Sequence, residues 1–588
     1  MKMQILDRIN KPSDLKALNK GELEHLAQQI REAIIERVGA IGGHLGPNLG
    51  VVEMTIALHY VFNSPIDKIV YDISHQCYPH KMLTGRKEAF TNLEKYKTVT
   101  GFTAPEESEH DFFTIGHTST SISLACGLAK ARDIKGDNEN IIAVIGDGSL
   151  SGGQAYEGLN NAAASGKNII IVVNDNDMSI AENHGGLYQN LAKLRETRGK
   201  AENNFFKALG LDYYYIEEGN DVEALIDGFS KVKDIDHPVV VHVHTTKGKG
   251  YQEAEENKES FHWSQPFNLE NKATLTNGMP IETYHTIVGD YLLEKAKQDP
   301  KVVAITAGTP GSVAVNRVRK ELSEQYIDVG IAEEHAVALI SGMASQGTKP
   351  VFSVLSSFIQ RTYDQLSQDL AINHNPAVLL VFGGGITGSG VTHLGNFDIP
   401  LISKIPNIIY LAPTNKEELK AMMEWGIDQT QWPVAIRVPS MPVVETGKVI
   451  EADFSKLNVY EKTIDGSEVA IVGLGSFYHL GQQVQETLKV EKGIKATLIN
   501  PRFITGVDKA LLNNLIKDHK LIITLEDGAL DGGFGEMITR FYGDKDIKVL
   551  NFGATKEFTD NVPLEELKER YHLTPELIVS DIIKVLGQ

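Results

Sequence analysis

The chain has 588 residues, of which 42% are hydrophobic and 23% charged; this composition is typical of globular proteins, and the length suggests three or four domains. Its net charge of −20 and pI of about 5.4 disfavour nucleic acid and anionic membranes as partners, because both bind basic surfaces. Cys77 and Cys126 are the only cysteines, so the sequence offers no disulfide framework and no cysteine-rich zinc site. No signal peptide and no apolar run near the ~20 residues of a membrane helix is found, and we expect a soluble, cytoplasmic protein.

The first predicted domain, residues 1–265, begins with a helix over residues 21–42, where apolar side chains recur at helical spacing. His44 lies on the glycine-rich loop that follows, and another helix is expected from about Val51. A histidine on such a loop is more often structural than catalytic. The residues alone therefore leave both roles open for His44.

Two further segments of this domain place polar side chains beside short predicted elements. A strand ends shortly before His75 in the segment IVYDISHQCYPHK. His80 and Lys81 follow it, and nothing local requires more than a structural role for them. A Gly-His-Thr segment at residues 116–118 precedes an alanine-rich helix.

The most informative stretch is a predicted strand–helix–strand unit. Ile141–Ile145 and Ile169–Val173 are short β-branched runs, which are typical of strands buried on both faces. A helix of small residues is expected between them, from about Gln154 to Ala164, and Gly166 is placed to end it. The unit predicts two neighbouring parallel strands whose carboxyl ends meet at one edge of a sheet.

Polar residues follow both strands at that edge. Asp147 lies in a Gly-Asp-Gly turn after the first strand, and Asn176 lies in an Asn-Asp-Asn segment after the second. A carboxylate and an amide oxygen brought together in this way suit Mg²⁺, which often completes its shell with phosphate oxygens. The alternative is that both side chains cap helices, and an isolated Gly-Asp-Gly turn favours that interpretation.

The end of the first domain contains a buried strand followed by the segment TTKGKGYQEAE. Lys247 lies among glycines at the strand end, where a solvated lysine and a phosphate-binding lysine are equally favoured. Tyr251 closes the same turn, and His262 follows in SFHWSQPF.

A linker is predicted at residues 266–281, a second domain at 282–447 and a third at 455–588. In the second domain, a strand is expected to run up to Glu333 and Glu334, before another alanine-rich helix. A pair of surface glutamates at a helix N-terminus is favourable for electrostatic reasons alone, which is the structural alternative to a functional Glu333.

The third domain opens with a strand–glycine–helix unit. Gly473 and Gly475 there do not complete a dinucleotide-binding fingerprint, because the third glycine is missing at the right offset. Glu526 and Asp527 are expected to cap a helix or form local pairs.

The Gly-Asp-Gly and Asn-Asp-Asn segments together resemble the fingerprint of thiamine-diphosphate enzymes. HLG-x-x-LGVVE, D-x-x-HQ-x-YPHK-x-LTGR and GH-x-STSIS resemble the 1-deoxy-D-xylulose-5-phosphate synthase family, which is transketolase-like. The likeness extends over nearly the whole chain. It implies a transketolase-like α/β fold of three domains with mostly parallel sheets, a bound thiamine diphosphate with Mg²⁺, and a homodimer.

The resemblance also implies residue roles. The implied metal ligands are Asp147, Asn176 and the carbonyl of Met178. The implied cofactor contacts are His75, Gly116, His117, Thr118, Gly148, Ser149, Asn176, Lys247, Tyr251, Glu333 and Phe358. The implied catalytic residues are His44, His75, Glu333, Arg361 and His393. In the family, a glutamate at the position of Glu333 hydrogen-bonds the pyrimidine N1′, which favours the imino tautomer whose nitrogen removes the thiazolium C2 proton.

Several positions depart from the family pattern. Gly383 and Ser440 stand where the family has the two arginines that grip the phosphate of the acceptor, and Leu355 stands where it has tyrosine. An aspartate before His393 is missing. At ~1.5–3 kcal/mol for each hydrogen bond to a charged group, the loss of both arginines is expected to cost several kcal/mol of acceptor binding. The loop after Leu187 is also shorter than in the family, which is expected to remove a lid and tighten the entrance to the active site.

Three hypotheses follow. The first is an enzyme that joins pyruvate to D-glyceraldehyde 3-phosphate, releasing CO₂ and giving 1-deoxy-D-xylulose 5-phosphate, for isoprenoid or thiamine biosynthesis. The second is a related enzyme with another acceptor aldehyde or a sugar-phosphate donor. The third is a non-catalytic cofactor-binding paralogue, which the joint presence of Glu333, Asp147 and Asn176 disfavours.

Overall fold

The computed structural model of the protein describes residues 4–269 and 282–587. These residues form two compact units. The first contains the described residues up to 269 together with Gly330–Ala332, and the second contains the remainder. Most of the predicted linker lies outside the described residues, and the predicted domain boundaries stay predictions.

The first unit is built on a five-stranded parallel sheet with the order β1-β2-β3-β5-β4. Its strands are β1 Lys68–Tyr71, β2 Ile141–Gly146, β3 Ile169–Asp175, β4 Asp212–Ile216 and β5 Pro238–His244. Successive side chains of β2 enter different cores: Ile142 and Val144 belong to one cluster, and Ile141 and Ile145 to another. The prediction that β2 and β3 are buried on both faces is confirmed.

Helices cover both faces of this sheet. The longer ones are α1 Lys20–Ile41, α2 Val52–Val61, α3 Ser121–Lys135, α4 Gly153–Ala163, α5 Gly186–Glu196 and α6 Val222–Val232. A capping box of Asn19 and Glu22 begins α1, and Gly42 ends it with a φ of +80°. The helices predicted before His44 and after the Gly-Asp-Gly turn are confirmed to within a residue at each end.

The second unit contains two sheets. The six-stranded parallel sheet has the order β10-β11-β9-β8-β6-β7, and the other sheet has the order β12-β14-β13-β15-β16, with β12 antiparallel to β14. The strands are β6 Val302–Thr306, β7 Tyr326–Asp328, β8 Lys349–Leu355, β9 Val378–Phe382, β10 Ile409–Leu411, β11 Val434–Arg437, β12 Glu461–Ile464, β13 Glu468–Gly473, β14 Thr497–Asn500, β15 His519–Ala529 and β16 Lys548–Ala554. The predicted α/β fold with mostly parallel sheets is confirmed.

The longer helices of the second unit connect and cover these strands. They are α7 Tyr284–Gln298, α8 Glu333–Ser345, α9 Lys416–Asp428, α10 Phe477–Lys492, α11 Lys509–Leu515, α12 Phe534–Tyr542, α13 Leu564–Arg570 and α14 Pro575–Leu586. Among the helices of the described residues, none combines the length and the apolar character that crossing a membrane requires.

Strand register places the predicted metal ligands at one edge of the first sheet. Gly146 of β2 pairs with Asn174 of β3, and Asp175 of β3 pairs with His244 of β5. The three strands therefore end at the same level. The residues that follow them, including Asp147, emerge side by side.

Candidate functional site

The edge of the first sheet brings Asp147 together with the segment that follows β3. The Asp147 carboxylate is buried and accepts hydrogen bonds from the backbone N–H of Met178 (3.0 Å) and from the Asn183 side chain (2.7 Å). It forms no capping hydrogen bond to the turn it precedes, so the capping alternative does not describe Asp147. Burial and the nearby charge of Asp175 raise the pKa of Asp147 to about 7.

Three buried oxygens at this edge lack a hydrogen-bond donor within the described part of the chain. They are Oδ1 of Asn176, Oγ of Ser179 and Oδ1 of Asn183. Buried polar atoms are normally satisfied, so an unpaired set beside a buried carboxylate indicates that something else binds there. A magnesium ion fits, because it prefers hard oxygen ligands and takes them from amides and carbonyls as well as from carboxylates. Within the described residues no group of three or more His, Cys, Asp or Glu side chains forms a metal site, so a cation here would depend on such mixed oxygens.

The Gly-Asp-Gly turn approaches the segment after β3 very closely. A Cβ atom at Gly148 would lie 2.7 Å from Oγ of Ser179, so only glycine fits at this position. Gly148 and Ser149 begin a short 3₁₀ turn, Gly148–Ser151. The first N–H groups of a helical turn have no acceptor within it, which suits them for binding an anionic group.

The loop that contains Gly116, His117 and Thr118 is held at the end of β1, which neighbours β2 in the same sheet. Asp72 follows β1, and its buried carboxylate accepts hydrogen bonds from the N–H groups of Ser119 (2.8 Å) and Ser121 (2.9 Å). This contact holds the start of α3 at the strand end. It therefore also fixes the predicted cofactor-binding loop just before that helix.

Three histidines of the first unit form a cluster. The ring centroids of His44 and His75 are 5.0 Å apart, and His262 lies 5.6 Å from His44 and 5.2 Å from His75. His44 and His75 were predicted as catalytic residues, and His262 was not. The cluster presents three imidazoles to one point, which suits proton transfer.

Asn48 organises this cluster and was not predicted. Its buried side-chain amide donates to the carbonyls of His44 (2.7 Å) and His75 (2.8 Å), and its oxygen accepts from the N–H of Tyr78 (2.8 Å). One amide thus joins two chain segments that carry catalytic candidates. The sequence signal for Asn48 is its position inside the glycine-rich HLGPNLG segment.

Lys247 contacts the histidine cluster through His262. Its ammonium donates to the carbonyl of Ser179 and lies 3.2 Å from Nδ1 of His262. An ammonium has only donors, so Nδ1 of His262 accepts, and the neutral ring carries its proton on Nε2. Burial lowers the pKa of Lys247 to about 8, and burial and Lys247 together lower the pKa of His262 well below its usual range.

Tyr251 packs among aromatic side chains. Its ring packs against Phe261 and Phe267, with centroids 5.8 and 6.2 Å away. His80 and Lys81 have the structural role expected of them: the buried His80 pairs with Asp111 at 2.8 Å, and Lys81 pairs with Glu107.

In the second unit, Glu333 begins α8 and is buried, unlike its half-buried neighbour Glu334. The prediction that a strand runs up to Glu333 is wrong: β7 ends at Asp328, and Gly330 turns the chain with a φ of +72°. Arg361 donates to Oε2 of Glu333 at 3.2 Å. Burial raises the pKa of Glu333 to about 7, although the charge of Arg361 opposes the shift.

Phe358 and His393 contact each other in the same unit. Their ring centroids are 5.8 Å apart and the planes meet at 67°. Phe358 precedes the turn that contains Arg361, so the predicted cofactor contact Phe358 and the predicted catalytic residue Arg361 belong to one short segment. Burial lowers the pKa of His393, which favours the neutral ring.

Comparisons with known proteins cover the whole length of the chain. A family model described as 1-deoxy-D-xylulose-5-phosphate synthase matches residues 6–202 and 197–245. Models described as the transketolase pyrimidine binding domain and the transketolase C-terminal domain match residues 282–443 and 460–578. A 1-deoxy-D-xylulose-5-phosphate synthase from Halothermothrix orenii is 40% identical over 99% of this chain and 98% of its own. This chain belongs to the 1-deoxy-D-xylulose-5-phosphate synthase family.

Another relative carries the same name. The 1-deoxy-D-xylulose-5-phosphate synthase of Caldanaerobacter subterraneus subsp. tengcongensis is 38% identical over 99% of both chains. A solved transketolase from Leishmania mexicana covers 95% of this chain at 16% identity, with a TM-score of 0.44. The synthase family uses thiamine diphosphate, and this member is an enzyme of the transketolase type of transferase.

The positions at which this synthase departs from its family lie near the end of β9. Gly383 has a φ of +67° and no side chain, and the Ser440 hydroxyl lies 3.4 Å from the Gly384 carbonyl. Arg437, three residues before Ser440, is buried and forms ion pairs with Asp398 and Asp527. Its charge is therefore already neutralised within the protein.

The predicted local role of Glu526 is confirmed, whereas Asp527 pairs with a residue that is distant along the sequence. Glu526 accepts hydrogen bonds from the N–H groups of Phe534 and Gly535, both at 2.8 Å, and so caps the start of α12. Asp527 pairs with Arg437. Both acidic groups thus stabilise the fold of this family member.

Proposed function

We propose that the protein condenses pyruvate with D-glyceraldehyde 3-phosphate to give 1-deoxy-D-xylulose 5-phosphate and CO₂, with thiamine diphosphate and Mg²⁺. The observation that carries the proposal is the 40% identity to a synthase of that name over 99% of this chain. The unpaired Asn176 Oδ1 beside the buried Asp147 supports the metal independently. A homodimer is proposed from the family resemblance alone, and a cytoplasmic location stays a prediction.

Residues of the first unit would hold the metal and the diphosphate. Asp147, the side chain of Asn176 and the carbonyl of Met178 would bind Mg²⁺. The N–H groups of Gly148 and Ser149 would donate to phosphate oxygens. Lys247 would add positive charge nearby, although two of its three donors already have acceptors in the protein.

When bound, thiamine diphosphate would supply the nucleophilic carbon needed to release CO₂ from pyruvate and to join the remaining two carbons to the aldehyde. Glu333 would hydrogen-bond the pyrimidine ring, and its burial strengthens such a contact because little water competes with it. Phe358 would pack on that ring, and Arg361 would hold the Glu333 carboxylate in place. His44, His75 and His393 would move protons to and from the oxygens that become charged.

Turnover of the full-length protein tests the proposal. Pyruvate and D-glyceraldehyde 3-phosphate are supplied with Mg²⁺ and thiamine diphosphate, and CO₂ and the pentulose phosphate are measured together. We expect both products in equal amounts, and neither when Mg²⁺ or the cofactor is omitted. Full turnover by Glu333→Gln would refute the residue roles, and absence of any turnover would refute the activity.

A second candidate function keeps pyruvate as the donor and uses a different acceptor aldehyde. It is favoured by the absence of a charged side chain at Gly383 and Ser440 and by the neutralised state of Arg437. Turnover with D-glyceraldehyde and with its 3-phosphate, at equal concentrations, separates the two candidates. A lower KM for the unphosphorylated aldehyde supports the second, and Ser440→Arg is then expected to lower the KM for the phosphorylated one. A clear preference for the phosphorylated aldehyde would exclude it.

A further inference from the structure

The segment after β3 carries more negative charge than its proposed metal ligands need. Asp175 and Asp177 flank Asn176, and Asp147 lies beside them. Carboxylates are better Mg²⁺ ligands than an amide, so either flanking aspartate could compete with Asn176 for the cation. Something must therefore hold these two carboxylates away from it.

Arg195 contacts both of them. Its Nη1 lies 2.7 Å from both carboxylate oxygens of Asp175, and its Nη2 lies 2.6 Å from Oδ1 of Asp177. One guanidinium thus bridges the residues on either side of Asn176. The planar fork of arginine suits this geometry, whereas the single nitrogen of lysine does not.

Other groups of the protein also hold the Asp175 carboxylate in place. The Asp175 carboxylate is fully buried, and His242 lies 2.8 Å from its Oδ2. The backbone N–H of Asp177 donates to Oδ1 of Asp175 at 3.1 Å, across Asn176. Asp177 itself has a φ of +59°, in the left-handed region that aspartate adopts more readily than most side chains.

Arg195 lies on α5, in the segment that is shorter than in the family. Tyr188 of this segment and Asn183, which precedes it, contact the residues that follow β2. Asn183 donates to the Asp147 carboxylate at 2.7 Å, and the Tyr188 hydroxyl donates to the carbonyls of Asp147 (3.1 Å) and Gly148 (3.2 Å). The segment therefore braces both strand ends from which the proposed metal ligands emerge.

We propose that Arg195 is a positioning residue for the cation: by binding Asp175 and Asp177 it keeps both carboxylates from the metal and aims Asn176 Oδ1 and the Met178 carbonyl at it. The inference rests on the proposed function. It assigns the shortened segment a role in metal binding, which differs from the loss of a lid that the sequence predicts.

The test compares Arg195→Met, Arg195→Lys and the wild-type protein after removal of metal with a chelator. The Mg²⁺ concentration for half-maximal thiamine diphosphate binding is measured by calorimetry on the full chain. We expect Arg195→Met to raise it about tenfold or more, and Arg195→Lys to raise it less, because lysine restores charge without the bridge. Lys193→Ala, on the same helix in an exposed pair with Glu196, is the matched control and leaves it unchanged.

A purely structural ion pair would behave differently. It would lower the unfolding temperature equally with and without Mg²⁺ and leave the Mg²⁺ concentration for half-maximal binding unchanged, and that result overturns the inference. Asp177→Asn removes only the outer half of the bridge, so it keeps the test decisive if Arg195→Met does not fold; an unchanged Mg²⁺ requirement in both Asp177→Asn and Arg195→Lys then also overturns it. If the wild-type protein binds no thiamine diphosphate with Mg²⁺, the proposed function itself fails, which is a distinct outcome.

Discussion

Burial separates Glu333 from a surface glutamate at a helix N-terminus. Its carboxyl group is 3% exposed, and its pKa is raised to about 7 from a model-peptide value of 4.5. The fold therefore prefers the protonated form. Stability from this group is fully present below pH 4.5 and is lost as the pH rises towards 7.

Replacing the charge should therefore stabilise the protein at high pH. We expect Glu333→Gln to be more stable than the wild type at pH 8, on the order of 2 kcal/mol, with little difference near pH 4.5. Unfolding by urea at both pH values measures this, and turnover of the same variant falls at least a hundredfold if the proposed role is right. Equal stabilisation at both pH values would contradict the assignment of the shift to the Glu333 charge.

Lys247 is the second residue whose chemistry follows from its contacts. The ammonium holds Nδ1 of His262 as an acceptor, so the ring presents an Nε2–H donor. Lys247→Met removes that restraint at nearly constant volume. We expect kcat at saturating cofactor to fall about tenfold, since a positioned hydrogen-bond donor to a developing charge contributes at least that much.

The matched control is Lys249→Met, because Lys249 is exposed and lies two residues along the same turn. In a His262→Asn background, the Lys247→Met change is expected to have no further effect on kcat. If Lys247→Met instead weakens only the binding of thiamine diphosphate, Lys247 acts on the phosphate and not on His262.

At the scale of elements, a single buried carboxylate joins the end of a strand to a later helix. Asp72 joins β1 to α3 through two backbone N–H groups. Asp72→Asn leaves only one acceptor oxygen for two donors, so a buried N–H loses its partner at a cost of about 1–3 kcal/mol. We expect a lower free energy of unfolding and weaker cofactor binding, because the loop at residues 116–118 loses its support.

Urea unfolding and cofactor calorimetry on the same variant measure both effects. Asp137→Asn, at an exposed position after α3, should change neither. Reduced stability with wild-type cofactor affinity would show that the loop does not depend on Asp72.

Several strands and helices were predictable from the chain itself. β2 and β3 are uninterrupted β-branched runs because both faces are buried, and this pattern is local. The end of β7 was misplaced because the turn at Gly330 follows a run of residues that also suits a strand. Local pattern therefore predicts elements well and their ends less well.

The supporting residues of the site were not predictable in the same way. Asn48, Asp72 and Arg195 act on partners that are distant along the sequence, and each is an ordinary polar residue in its own segment. The residues expected to touch the metal or cofactor were found because the family resemblance names their motifs. Side chains that only hold those residues in place carry no motif and emerge from the fold.

At the scale of the whole molecule, binding of the proposed cofactor is linked to the stability of the folded chain. A ligand that binds only the folded protein stabilises it by about 2.7 kcal/mol when present at a hundred times its Kd. Because the diphosphate is proposed to bind through Mg²⁺, we expect the unfolding temperature to rise with thiamine diphosphate and Mg²⁺ together and little with either alone. Scanning calorimetry measures this without any assumption about substrates.

Two variants test whether the rise in unfolding temperature depends on the proposed metal site. Asn176→Ala removes a proposed metal ligand, so the rise caused by Mg²⁺ with cofactor should largely disappear. Tyr251→Phe keeps the packing against Phe261 and Phe267 and should leave the rise intact, because it removes no proposed metal ligand. A full rise in unfolding temperature in Asn176→Ala would show that the cation binds elsewhere. Loss of the rise in Tyr251→Phe would show that the Tyr251 hydroxyl contacts the cofactor, as the family resemblance implies.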